Sequence, residues 1–339
     1  MKVKPTLILS VLLALFFLPA LSAQAEVPAP MPIIFDTDMG NDADDAMALA
    51  ILNAFVDRGE CDLLAVTLTK SAPNAAPYIQ MVNSYCGHPD IPIGMTTEVR
   101  TPDDGRYIGH VFDLKDETGN PLFVRPEVTP LPAVQLLRQK LAEAEDHSVV
   151  IVMVGFSTNM AALLDSPADD ISPLTGKELA AQKVKLLSTM FGKFNNEPGK
   201  EYNVVTDIPS AQKVAAEWPT PIWFSGYEIG TAVQISREQI DNAFRTCPNH
   251  PIRHSFILYR GESSGNQSTY DLTSVLLPLR LLDGYFNLSA MGTVSVDDEG
   301  VSHFTEDPNG RCQYIQNVTP EQVIRIREAF LYLMSQPAK

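Results

Sequence analysis

Basic charge, cysteine and long apolar runs are all scarce in this chain. Of its 339 residues four are cysteine and two tryptophan, and 25 lysines and arginines face 41 aspartates and glutamates, a formal net charge of −16. Phosphate binding depends on clustered lysine and arginine, so this balance argues against nucleic acid as a partner. It suits a protein that handles cations or neutral small molecules. Cys61, Cys86, Cys247 and Cys312 form no C-x-x-C pair, so neither a zinc site nor a dithiol redox centre is indicated. In an oxidising compartment they could make two disulfides. Proximity along the chain favours Cys61 with Cys86 and Cys247 with Cys312, and buried free thiols are the alternative. There is no internal repeat and no low-complexity tract.

The one sustained apolar stretch, residues 7–21, follows the basic start Met1-Lys2-Val3-Lys4 and precedes Ala23-Gln24-Ala25. Those are the three parts of a secretory signal peptide, and the stretch is short of the roughly 20 residues of a membrane span. We expect residues 1–25 to be a cleaved signal peptide and residues 26–339 a single domain, periplasmic or secreted. No second run is long enough to span a bilayer, so no membrane association is expected after cleavage.

Short apolar runs at residues 33–35, 63–68, 149–154, 184–187 and 222–224 alternate with helical patterns at 46–56, 76–85, 158–164 and 211–217. That alternation predicts an α/β fold with an open, mostly parallel sheet covered by helices. Residues 101–132 are rich in Asp, Gly and Pro and read as a long loop, a candidate lid. Turn signals at 297–300 and 307–310 separate short strands, which predicts a small C-terminal β-meander. Thr319-Pro320-Glu321-Gln322 then opens a terminal helix.

The chemistry concentrates after the first run. Asp36 and Asp38 stand at the strand end, where open α/β sheets bind ligands, and Asp42, Asp44 and Asp45 follow as a helix begins. Two carboxylates about 4 Å apart repel by roughly 4 kcal/mol at an effective dielectric near 20. A helix N-terminus returns only about 0.3–1 kcal/mol per acid. No Lys or Arg lies between Met31 and Asp57, so protonation, a distant base or a metal ion must supply the rest. All-oxygen donors without His or Cys point to a hard cation, calcium or magnesium, and the spacing is not that of an EF-hand. Acids that merely cap the helix and face water are the bland alternative.

These residues resemble the inosine/uridine-preferring nucleoside hydrolase family, which opens with D-x-D-P-G-x-D-D-A. The match is Asp36-Thr37-Asp38-Met39-Gly40 and then Asp44-Asp45-Ala46, with two extra residues before the Asp pair. Val154-Gly155-Phe156-Ser157-Thr158-Asn159 resembles the family's G-P-L-T-N turn, and Asn195 with Glu201-Tyr202-Asn203 its G-N and E-F-N segments. Tyr270-Asp271 stands in place of its H-D pair. The resemblance implies a Rossmann-like nucleoside hydrolase fold and a dimer or tetramer. It also implies a calcium ion held by Asp38, Asp45, Asp271 and the main-chain carbonyl of Val154. Asp44, Asn195, Glu201 and Asn203 would bind the ribose hydroxyls, with Asp36 as outer support; Asp42, which the resemblance does not cover, is open as a further ligand or an outer-shell acid. Tyr270 replaces a histidine, and the asparagine expected soon after Thr67 falls on Ala72, with Asn74 nearby.

The expected reaction is hydrolysis of a ribonucleoside N-glycosidic bond, to free base and ribose. Carboxylates stabilise the oxocarbenium-like state, Asp38 takes the proton of the attacking water and Tyr270 helps the base depart. Two other classes stay open: a non-catalytic nucleoside- or sugar-binding protein of the same fold, and a haloacid-dehalogenase-like phosphohydrolase, which also starts from a strand and D-x-D.

Overall fold

Strand β1 (Met31–Thr37) is buried from Ile33 onward, as a strand covered by helices on both faces must be. Its Ile33 and Phe35 point into one apolar layer and its Ile34 into the other. The computed structural model describes residues 29–98, 100–195, 198–261 and 265–337; the expected leader, residues 1–25, lies outside them. The further strands are β2 (Cys61–Leu68), β3 (Ile93–Met95), β4 (Leu131–Pro132), β5 (Val149–Met153), β6 (Val184–Met190) and β7 (Ile222–Ser225). Then come β8 (Gln234–Ile235), β9 (Gln267–Ser268), β10 (Gly292–Val296), β11 (Ser302–Glu306) and β12 (Cys312–Tyr314). The helices are α1 (Asp44–Asp57), α2 (Ala75–Tyr85), α3 (Ala133–Glu143), α4 (Thr158–Asp165), α5 (Gly176–Lys183) and α6 (Tyr202–Thr206). After them follow α7 (Ile208–Glu217), α8 (Tyr227–Ala232), α9 (Arg237–Ala243), α10 (Pro251–Arg260), α11 (Tyr270–Arg280) and α12 (Pro320–Met334).

Among the described residues ten strands form one open sheet in the order β11-β10-β12-β7-β6-β5-β1-β2-β3-β4, and β8 and β9 pair separately. From β7 to β4 every pairing is parallel. The chain grows outward from β1 through β2 to β4 on one side and from β5 through β7 on the other. The switch point therefore falls between β1 and β5, where the crevice at the strand ends takes ligands. The expected C-terminal meander is present but is not an appendage: β10 runs antiparallel to β11 and β12, and β12 extends the main sheet alongside β7.

Two expectations need correction. The four cysteines are free thiols. Cys312 belongs to one apolar layer and Cys247 packs on the other, across the sheet, so that pair cannot meet. Cys61 faces the Leu52 carbonyl instead of Cys86, and burial pushes both of these thiols up to about 12, which suppresses the reactive thiolate. The loop at 101–132 is irregular apart from one short 3₁₀ turn, His110–Asp113, and the two residues of β4 at its end. It is no free lid, because Tyr107, Ile108 and Val111 are fully buried. No helix among the described residues is long and apolar enough to cross a membrane.

Helix α10 carries a pH-sensitive cap. His250 Nδ1 accepts from the Ile252 N–H at 3.2 Å, and its buried ring sits against Tyr85 and Phe244. Burial drives its pKa down to about 4. A lowered folded-state pKa on a base means the unfolded chain binds the proton more readily, so this contribution is full above about pH 6.5 and lost as pH falls toward 4. The loss amounts to about 3 kcal/mol. His250→Asn keeps a capping oxygen and removes the titration. Buried carboxylates act in the opposite sense in both proteins, so the difference isolates this ring. Denaturant unfolding of the two proteins at pH 7 and pH 4.5 should show the smaller acid loss for the variant; equal losses would refute the linkage.

Candidate active site

Register places the first acids. Asp36 lies opposite Thr67 on β2 and Met153 on β5. Its Oδ1 accepts from Thr67 Oγ1 at 2.5 Å and Asn159 Nδ2 at 2.8 Å, behind the cleft and fully buried. Burial pushes its pKa up to about 7. The chain then passes the end of β5 so closely that a Cβ on Gly155 would lie 2.4 Å from Thr69 Oγ1 and 2.7 Å from the Asp38 amide nitrogen. Only glycine fits there, and this approach brings the two strand ends together. Gly40, with φ +115°, turns the chain on toward α1.

Asp38, Asp42, Asp44, Asp45 and Asp271 line one cleft with Glu201 and Asn203, beneath Tyr202, Tyr227 and Tyr270. The cavity is about 130 Å³, below the roughly 300–1,000 Å³ of sites for drug-sized ligands, so it holds a sugar-sized group with the remainder at the mouth. A larger cavity of about 580 Å³, lined by Met31, Pro32, Lys140 and Lys185, opens at the other end of the strands, away from the acids. Helices α1 and α11 both aim their N-termini at the cleft: Asp44 N–H is capped by Asp42 Oδ1 at 3.1 Å, and Asp44 Oδ2 accepts from the Asp271 N–H at 3.2 Å.

Crowding shifts the acids. Burial pushes Asp38 up to about 6, opposed by the Asn41 hydrogen bond and the charge of Lys70. Asp42 rises to about 7 through burial and then the charge of Asp38, with Arg260 opposing. Asp45 and Asp271 lie well above the carboxylate range, through burial first and the neighbouring aspartates second. Glu201, also raised to about 7 by burial, accepts from the N–H groups of Gly192, Asn203 and Val204.

Besides Asp36, two of the expected site residues are not in the lining. Asn195 donates through Nδ2 to Glu228 Oε1 at 3.0 Å and to the Ile315 carbonyl at 2.7 Å, so its amide is spent outside the cleft. The Val154 carbonyl accepts from Asn203 Nδ2 at 2.7 Å, behind that residue. Tyr270 stacks on Tyr227 with ring centres 5.2 Å apart, and its hydroxyl lies 3.5 Å from Thr231 Oγ1. Burial pushes the phenol above its ordinary value, which keeps its proton in place at neutral pH.

Lys70, which the sequence pattern left unnoticed, is fully buried beside the acids. Its Nζ donates to Asn41 Oδ1 at 2.7 Å, and Asn41 Nδ2 donates to Asp38 Oδ2. The only sequence signal was position: it lies two residues past β2, the parallel neighbour of β1, at the same sheet edge.

A divalent cation fits the donor set: buried carboxylate oxygens in excess of the cations near them, with no soft ligand. Among the described residues no three acidic, histidine or cysteine side chains converge closely enough to hold an ion. The acids are turned to other partners, Asp45 Oδ1 to Thr37 and Asp38 Oδ2 to Asn41, so ion binding would have to reorient them.

Comparison with known proteins agrees with this geometry. The chain is 27% identical over 226 residues, 65% of its length and 67% of the relative's, to the pyrimidine-specific ribonucleoside hydrolase RihA of Citrobacter koseri. It superposes on the plant nucleoside hydrolase PpNRh1 with a TM-score of 0.67 at 21% identity, over 91% of this chain and all of that one. For the purine-preferring ribonucleoside hydrolase of Gardnerella vaginalis the TM-score is 0.68 at 15% identity, over 90% and 98% of the two chains. The family model for inosine-uridine preferring nucleoside hydrolases matches residues 33–297, from the first strand past the last of the cleft residues, and the chain accordingly belongs to the inosine-uridine preferring nucleoside hydrolase family.

Proposed function

We propose that this cleft hydrolyses the N-glycosidic bond of a ribonucleoside with calcium as its cation. The observation that carries the reading is the convergence of Asp38, Asp44, Asp45, Asp271, Glu201 and Asn203 in one sugar-sized cavity under an aromatic rim. Bound calcium would be held by Asp38, Asp45 and Asp271, with the Val154 carbonyl, which keeps a second lone pair beside its bond from Asn203, as a further donor, and would supply positive charge to orient and polarise an oxygen. The chain's own groups do the rest. Asp44 and Glu201 accept hydrogen bonds from ribose hydroxyls, and Asn203 holds its place through Val154. The carboxylates stabilise the positive charge that develops on the sugar as the bond to the base breaks. Asp38 takes the proton of the attacking water. The Tyr227–Tyr270 stack forms a flat wall at the mouth against which the base rests, and the Tyr270 hydroxyl is the donor available to the departing base. Residues 1–25 direct export of the chain, and assembly of the mature domain into a dimer or tetramer is the arrangement the resemblance implies.

The test is direct. Purified protein lacking residues 1–25 is incubated with inosine, uridine or a phosphomonoester, with calcium or with chelator, and free ribose and phosphate are measured. Ribose release that chelation stops and calcium restores is the expected result. Undiminished turnover in chelator sinks the calcium assignment, phosphate release favours a phosphohydrolase, and tight nucleoside binding without product favours a binding protein.

A further inference from the structure

Four buried aspartates, Asp38, Asp44, Asp45 and Asp271, and the half-buried Asp42 line a cleft that must also be stable when no cation occupies it. Among the described residues the cation set most deeply beside them is Lys70, whose side chain is 0% exposed. An ammonium is not carried into the interior without a compensating charge. Among the described residues the carboxylate in ion-pair range of it is Asp103, 3.6 Å away and 73% exposed, in the loop over the acidic turn. Screening by water makes so exposed a partner a weak one. The charge therefore looks to the cluster, and it favours the ionised forms of both Asp38 and Asp45. Asn41 relays it: Oδ1 accepts from Lys70 while Nδ2 donates to Asp38 Oδ2, which fixes the amide in one orientation. Asn41 also lies in the stretch that lengthens the acidic motif by two residues relative to the family pattern. Arg260 opposes the rise of Asp42.

We propose that Lys70 is a built-in counter-cation of the carboxylate cluster, which stabilises the cation-free protein and competes electrostatically with the bound divalent ion. The inference rests on the metal reading above. It makes a prediction of unusual sign, because removing a buried cation should improve metal binding while weakening the metal-free protein. A merely structural lysine would weaken both.

Calcium affinity is measured by titration calorimetry on chelator-stripped full-length mature protein at pH 7 and fixed ionic strength, together with thermal midpoints with and without calcium. Lys70→Gln keeps a donor for Asn41 and loses the charge; Lys70→Met loses both; Lys70→Arg keeps the charge. For Lys70→Gln and Lys70→Met, calcium should bind at least about tenfold more tightly than to wild type. Their metal-free midpoints should fall, and saturating calcium should recover most of the difference. Lys70→Arg should stay within about twofold of wild-type affinity. Should Lys70→Met not fold, Lys70→Gln carries the test alone. Wild type that binds calcium, with Lys70→Gln binding equally or less well, overturns the counter-cation role alone. Wild type that binds no calcium overturns the metal reading and this proposal with it.

Discussion

Asp38→Asn is expected to reduce kcat for ribose release by about 10³-fold or more while leaving the fold intact. A positioned base contributes about 10²–10⁴-fold, and a preorganised charge facing the transition state about 10²–10³-fold; Asp38 is placed for both. It lines the cavity just past the end of β1, within the electrostatic reach of Asp42, Asp45 and Asp271. The amide keeps the shape and an oxygen for the Asn41 donor. It also removes one charge from a crowded cluster, so the thermal midpoint of the metal-free variant should equal or exceed that of wild type. Asp42→Asn is the control. Asp42 lines the same cavity but caps Asp44 from the inserted stretch, and its replacement should cost less than tenfold. Ribose release by Asp38→Asn within tenfold of wild type would remove the base assignment, and a collapsed midpoint would show that the residue is structural.

What could be read from the sequence was what local pattern encodes. An apolar run ending in acids, followed by a helix that starts on two more, places Asp36, Asp38, Asp44 and Asp45 before any tertiary contact is known. Asp271, more than two hundred residues later, came only through resemblance, because nothing near it in sequence announces a cleft. Its place depends on α11 aiming its N-terminus at the Asp44 carboxylate. Lys70 escaped for a related reason. Whether a lysine just beyond a strand is solvated or buried is decided by the neighbouring strand and by the loop above it. That loop misled in turn: its Asp, Gly and Pro content hid the short apolar stretch around Tyr107, Ile108 and Val111, which fills the core. The place of Asn195 was equally hidden, since it is Glu228, on α8 more than thirty residues later, that accepts from its amide. Sequence proximity was no guide to disulfides either, because the two faces of a sheet separate residues that a linear reading pairs.

Glu201→Ala is expected to lower both stability and turnover, and comparison with Glu201→Gln separates the two. Glu201 is 4% exposed. It caps α6 by accepting from the N–H groups of Asn203 at 2.8 Å and Val204 at 3.2 Å, and it gathers the Gly192 N–H at 3.2 Å from the end of β6. Alanine leaves three donors without an acceptor at about 1–3 kcal/mol each, reduced where the cleft admits water. A net loss of about 3 kcal/mol is expected in denaturant unfolding. It also frees Asn203, which reaches the Val154 carbonyl from the helix that Glu201 caps. The same carboxylate faces the cavity as an acceptor for ribose and as negative charge opposite the developing cation, so kcat/KM should fall by about 10²–10³-fold. Glutamine restores an oxygen to the cap and should recover more than half of the stability, yet it lacks the charge and should recover little of the turnover. Stability lost with kcat/KM held within tenfold would make Glu201 a scaffold for α6 and end its role in holding the sugar.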